Sequence, residues 1–113
     1  MNLYIYMVGD ELEEVIEPVA TAMAEWLAAN ENVRATLVNQ QGDGDLILGI
    51  DIEVNNKRHL KAPLKYLYEL AKTHKQDFVI GILQDSGDRE DVCYFGFEEG
   101  RPDEFEVANY LNL

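Results

Sequence analysis

The chain has one cysteine, one serine and three prolines among its 113 residues, and each shortage excludes something. The lone thiol of Cys93 closes no intramolecular disulfide, and no Cys/His spacing suggests zinc. Ser86, in "QDSGD", lacks the flanking glycines of a nucleophile elbow. No Ser/Gly-rich tract separates one part from another, so a single domain over 1–113 is expected, large enough to bury one core. Apolar runs such as "LILGI" at 46–50 fall far short of the roughly 18 residues that span a bilayer. The N-terminus has no basic region and turns acidic at Asp10, so neither a signal nor a transit peptide is expected and a reducing cytoplasm is the natural compartment. Glycine-rich phosphate loops are missing too, because "GDGD" has too few glycines and no lysine.

Positive charge is the scarcest commodity. Nine Lys and Arg stand against 22 Asp and Glu, a net charge of −13. Such a field repels nucleic acid and anionic lipid, so neither is an expected partner. It attracts cationic surfaces and speeds their encounter, although acidity also simply keeps a protein soluble.

Hydrophobic residues make up 47% of the chain, which places it among globular sequences. "LYIYMV" is too short for a helix and marks a strand near 2–8. Asp10 and Glu13 give a capping-box-like start to a helix whose apolar stripe runs Leu12, Val15, Ile16, Val19, Met23, Trp26, Leu27. Pro18 either kinks that helix or marks its start after a short turn. Strands near 33–40 and 45–54 form a hairpin around "QGDGD", with Leu46, Leu48, Ile50, Ile52 and Val54 on one face. A second helix spans about 60–73, with Leu60, Leu64, Leu67 and Ala71 inward. Strands near 77–84 and 91–98 make a second hairpin around "DSGDRED". Pro102 suits the first turn of a terminal helix, with Phe105, Val107, Ala108 and Leu111 as its apolar contacts. The order β-α-β-β-α-β-β-α predicts a two-layer α+β domain, helices on one face of a mostly antiparallel five-stranded sheet. The two α-β-turn-β stretches look alike, Gly42-Asp43 matching Gly87-Asp88, either by duplication or through shared turn chemistry.

Two clusters stand out. Asp43, Asp45, Asp51 and Glu53 lie on or near the outward face of the first hairpin, where carboxylates at i and i+2 suit contact with a cationic partner. The spacing lacks the ligand ladder of a calcium loop, and an exposed face offers no desolvation to tune an acid. The segment 57–75 carries +5 while the rest of the chain carries −18. Lys57, Arg58 and Lys61 crowd a helix start, the wrong end for cations. They either balance the chain's own acids or grip an anion together with the helix N–H groups. His59 and His74 flank the second helix and share no metal. No metal, cofactor or catalytic set is therefore expected. The leading expectation is a non-enzymatic, protein-binding module for a basic partner, analogous in size and charge to inhibitors, immunity proteins and antitoxins. A small anion- or ligand-binding domain at Lys57, Arg58 and Lys61 is the alternative. A homo-oligomer joined through exposed tyrosines or a sheet edge is the third.

Overall fold

The computed structural model of the chain describes residues 1–9, 12–41 and 46–113. The first apolar run is strand β1, Asn2–Val8, buried on both faces over 3–7 because it lies at the middle of the sheet. On one side it pairs with β3, Leu46–Glu53, and on the other with β4, Asp77–Leu83. The edges are β2, Ala35–Gln41, paired to β3, and β5, Arg89–Gly96, paired to β4. The order is β2-β3-β1-β4-β5 and every pairing is antiparallel. Three helices, α1 at Ile16–Ala29, α2 at Lys61–His74 and α3 at Glu104–Tyr110, complete the two-layer α+β fold. The strand β3 is inserted between β1 and β2, and β1 between β3 and β4. These are two split β-α-β units, the ferredoxin-like arrangement, extended by β5 and α3.

Strand alternation sends Leu3, Ile5, Met7, Leu48, Ile50, Ile52, Phe78, Ile80 and Phe95 to one face, where they pack on Val19, Met23, Leu64, Leu67, Ala71, Val107 and Leu111 from the helices. Phe78 and Phe95 stack at 5.4 Å between ring centres, and burying one such ring contributes about 1.5–3 kcal/mol. Trp26 of α1 stacks on Tyr66 of α2 at 4.8 Å, and the Tyr66 hydroxyl donates to the Ala22 carbonyl at 2.8 Å, tying the two helices together.

The structure adjusts several expectations. Of the two readings of Pro18, the short turn is the right one: a 3-10 turn at Leu12–Glu14 precedes α1, and Pro18 occupies the helix's first turn, where its missing N–H costs nothing. Asp10 lies outside the described residues. The strand β5 begins at Arg89, earlier than its apolar content suggests. The Gln84 N–H donates to the Asp88 carbonyl and Gly87 takes φ +93, so the turn closes early and the polar residues 89–91 pair as an edge. Pro102 stands outside α3, whose cap is Asp103, accepting from the N–H groups of Phe105 and Glu106. Phe105 points to solvent, 60% exposed, while Val107, Ala108 and Leu111 are buried. Of the two matched turns, Gly42-Asp43 lies outside the described residues, and the two units are placed differently in the sheet. The first hairpin runs from edge to interior and the second from interior to edge, while β3 and β4 run the same way. No rotation that keeps the helices on their face superposes the two units.

Candidate functional site

Among the described residues, no helix covers the second face of the sheet. The strand alternation brings Tyr4, Tyr6, Val8, Thr36, Val38, Gln40, Ile47, Asp51, Glu53, Val79, Leu83, Arg89, Asp91 and Tyr94 to it. A small second cluster forms there around Tyr4, Tyr6 and Val79, flanked by the half-buried Val8, Val38, Ile47 and Leu83. The Tyr4 and Tyr6 rings stack at 4.9 Å and are almost inaccessible, 1% and 7% exposed, although no helix of the described residues lies above them. They lie flat because the neighbouring strands offer glycine where the rings come down. A Cβ on Gly81 would meet the Tyr4 ring, and one on Gly49 would meet the Tyr6 ring and the β1 backbone.

Their polar ends are fixed. The Tyr4 hydroxyl donates to Asp91, and the Tyr6 hydroxyl donates to Asp51 Oδ1 at 2.5 Å. Burial first, and then these carboxylates, push both phenols well above their ordinary pKa. The Arg89 guanidinium sits 5.2 Å from the centre of the Tyr6 ring and opposes that shift. This ensemble was hidden from the sequence reading. Its signal was present: two tyrosines at i and i+2 in one strand, with an isolated glycine inside each neighbour.

The acidic hairpin residues divide as follows. Asp51 and Glu53 share the open face, Asp51 holding Tyr6 and Glu53 paired to Arg34 at 3.7 Å. Asp43 and Asp45 lie outside the described residues. The three basic candidates are not brought together. Asn56 caps a 3-10 turn, Lys57–Leu60, accepting from the Arg58 N–H at 2.9 Å, and α2 follows directly. Lys57 reaches the Phe105 ring of α3, 5.5 Å from its centre. Arg58 turns toward a cleft of about 310 Å³ between this turn and the β2–β3 end, shared with Arg34, Glu53 and His59. Lys61 lines another, of about 240 Å³, with Lys65, Tyr68, Arg101 and Glu104. Within 4 Å, no carboxylate of the described residues meets any of the three.

Cys93 faces the helix layer, half-buried, and burial followed by the nearby Glu106 pushes its thiol upward, away from nucleophilic character. His59 accepts from the Asn55 N–H through Nδ1 at one end of α2, and His74 stands in its last turn. No three His, Cys, Asp or Glu side chains of the described residues converge as metal ligands, and none of their helices is long and apolar enough to cross a membrane. Comparison with protein-family models, curated proteins and solved structures finds no match.

Proposed function

We propose that this chain is a non-enzymatic, cytoplasmic protein-binding module that holds a basic partner against the open face of its sheet. One observation carries the reading. That face has no helix over it among the described residues, and it presents the partly exposed Val8, Val38, Ile47 and Leu83 and the exposed Tyr94 beside the carboxylates of Asp51, Glu53, Asp77 and Asp91. Its cations, Arg34 and Arg89, are both engaged, one with Glu53 and the other over Tyr6. An apolar centre with an acidic rim suits a surface rich in Lys and Arg, and the −13 charge of the whole chain steers such a surface inward. Asp43 and Asp45 extend the same acidic hairpin in sequence. A homo-oligomer is disfavoured on the same ground, since two copies repel.

The test replaces Asp51 and Asp91 with Asn and Glu53 with Gln, which keeps an oxygen acceptor at each position. Wild type and variant are immobilised, and proteins retained from cell extract at low and high ionic strength are identified by sequencing. Retention of a basic protein that salt weakens and the triple substitution abolishes is the expected result. Retention indifferent to both salt and substitution refutes the reading.

A further inference from the structure

The two edges of the sheet are built differently. At β5 the edge is guarded. The pairing register shifts by one residue beside Ile80 and Gly81, which marks a bulge, and Arg89, Glu90 and Asp91 put three consecutive charges along the strand. Its far end is occupied from within, because Gly96 and Gly100 exchange N–H···O bonds at 2.9 and 2.8 Å. Bulges, charges and a covering segment are the usual devices that keep an edge from pairing with another chain.

Among the described residues, the edge at β2 has none of them. Its seven residues, "ATLVNQQ", contain no charge and no proline, and they pair with β3 in unbroken register from Ala35 to Gln41. The Glu53 N–H donates to the Arg34 carbonyl, so even-numbered residues of this strand exchange bonds with β3. The odd-numbered ones, Leu37, Asn39 and Gln41, therefore aim their N–H and C=O groups outward at the free edge. Although the chain carries a net charge of −13, this edge, with its outward backbone donors and acceptors, is uncharged from Ala35 to Gln41.

The geometry points to β2 as a strand-addition site, filled by an extended segment of a basic partner in which Lys or Arg alternates with apolar residues. This rests on the basic-partner reading and specifies how the partner binds. Side chains of an added strand alternate between the two faces. Those on the helix side would extend the core beside Ala35 and Leu37, which are only partly buried. Those on the open side would stand beside Thr36, Val38 and Gln40, one strand away from Asp51 and Glu53 and within reach of a long cationic side chain. A second copy of this chain fits less well, since it would bring a further −13 to the seam.

The probe is a synthetic peptide of alternating lysine and valine, compared with its glutamate–valine counterpart and with a version N-methylated at alternate residues so that one edge cannot pair. Binding is followed by fluorescence anisotropy, and amide hydrogen exchange is read on wild-type protein. Asn39→Pro removes an outward N–H without touching a β2–β3 bond, a substitution edge strands accept. Gln41→Pro repeats the test at a second site should the first disturb folding. The expected result is that the lysine–valine peptide alone binds, that amides of Leu37, Asn39 and Gln41 slow in exchange, and that either proline variant binds about tenfold more weakly or worse, the loss of one or two main-chain hydrogen bonds. Equal binding to wild type and proline variants, with loss only in the Asp51, Glu53 and Asp91 triple variant, overturns strand addition while the basic-partner reading survives. No salt-sensitive binding of the lysine–valine peptide to any form overturns both. A wild-type dimer in sedimentation that Asn39→Pro renders monomeric makes a second copy the occupant and also overturns the proposal.

Discussion

Replacing Tyr4 and Tyr6 with Phe isolates what holds the uncovered face together. The ring stack and the fit over Gly49 and Gly81 remain, and only the two hydroxyls leave. A hydrogen bond to a charged acceptor contributes about 1.5–3 kcal/mol where both partners are buried. Asp91 is exposed and regains water once Tyr4 releases it, so Tyr4→Phe should cost about 1 kcal/mol. Asp51 is half-buried and regains less, so Tyr6→Phe should cost about 1–2 kcal/mol. The rings touch, so the double variant need not equal the sum; a loss of about 2–3 kcal/mol is expected from urea unfolding near neutral pH. The pH dependence gives an independent reading. Both phenols are raised in the folded protein, chiefly by burial and then by their carboxylates. Below the ordinary tyrosine pKa of about 10 both states hold these protons and the contribution is complete. As pH rises beyond it, the unfolded chain releases protons that the folded chain keeps, and stability falls. In the double variant this alkaline decline should shrink to what other tyrosines supply, notably Tyr66, which burial also raises. A double variant that loses under about 0.5 kcal/mol and keeps the wild-type alkaline slope would refute the assignment of the Tyr–Asp pairs as the fastening of this face.

Four further outcomes follow from local geometry. Gly49→Ala would place a Cβ 2.1 Å from the Ile5 carbonyl oxygen and 2.7 Å from the Tyr6 Cα, so the central strands must part at a cost of about 3 kcal/mol or more. Gly87→Ala, at φ +93 with nothing within 4 Å, should cost only about 1 kcal/mol, and equal losses in chemical denaturation would contradict the close-approach argument. Lys57, Arg58 and Lys61 changed together to Gln take the net charge to −16 but should move stability by no more than about 1 kcal/mol, with phosphate affecting both proteins alike. A saturable phosphate stabilisation confined to wild type would show that these cations do act together. Cys93 should label slowly with thiol reagents in the folded protein, because its thiol is half-buried and its pKa raised; rapid stoichiometric labelling without denaturant would contradict this.

Strand and helix placement was legible where periodicity was strong. The alternation of Leu48, Ile50 and Ile52 and the helical stripe of Leu64, Leu67 and Ala71 both lead straight into the core. Edges were harder, because an edge strand has one paired side and tolerates polar residues. Arg89, Glu90 and Asp91 carry no apolar signal, yet they pair with Leu83, Ile82 and Gly81 through the backbone alone. Helix starts were blurred for a related reason: the 3-10 turns at Leu12–Glu14 and Lys57–Leu60 lengthen the apparent helical pattern without being α-helical themselves. The tyrosine platform escaped because its logic is spread over four strands. Tyr4 and Tyr6 read simply as members of a buried run, and only the register reveals that Gly49 and Gly81 lie beneath them while Asp51 and Asp91 take their hydroxyls.

The layers also give meaning to the misplaced cations at the start of α2. Six of the nine Lys and Arg lie in 57–75, on the turn and helix that pack against one face of the sheet, where the acidic first turn of α3 and the glutamates of α1 share the helix layer with them. Lys57 rests on the Phe105 ring, between Glu104 and Glu106 in sequence, and Lys61 and Lys65 share a cleft with Glu104. Apart from the Lys72–Glu69 pair at 3.3 Å, charge balance there works at a distance, and no carboxylate of the described residues lies within 4 Å of Lys57, Arg58 or Lys61. Most of the open face is separated from the cations of α2 by a layer spacing on the order of 10 Å plus the length of a lysine side chain; Arg58, in the turn before α2, is the exception and shares a cleft with Glu53. That spacing exceeds the Debye length of roughly 8 Å at physiological salt, so the cations of α2 screen the open face little. Asp51, Glu53, Asp77 and Asp91 thus present their charge outward, moderated by Arg34 and Arg89 and, at the Glu53 end, by Arg58. A basic partner approaching from the side without helices meets a field set by these few residues. A partner approaching from the helix side meets a mixed surface, with less to gain.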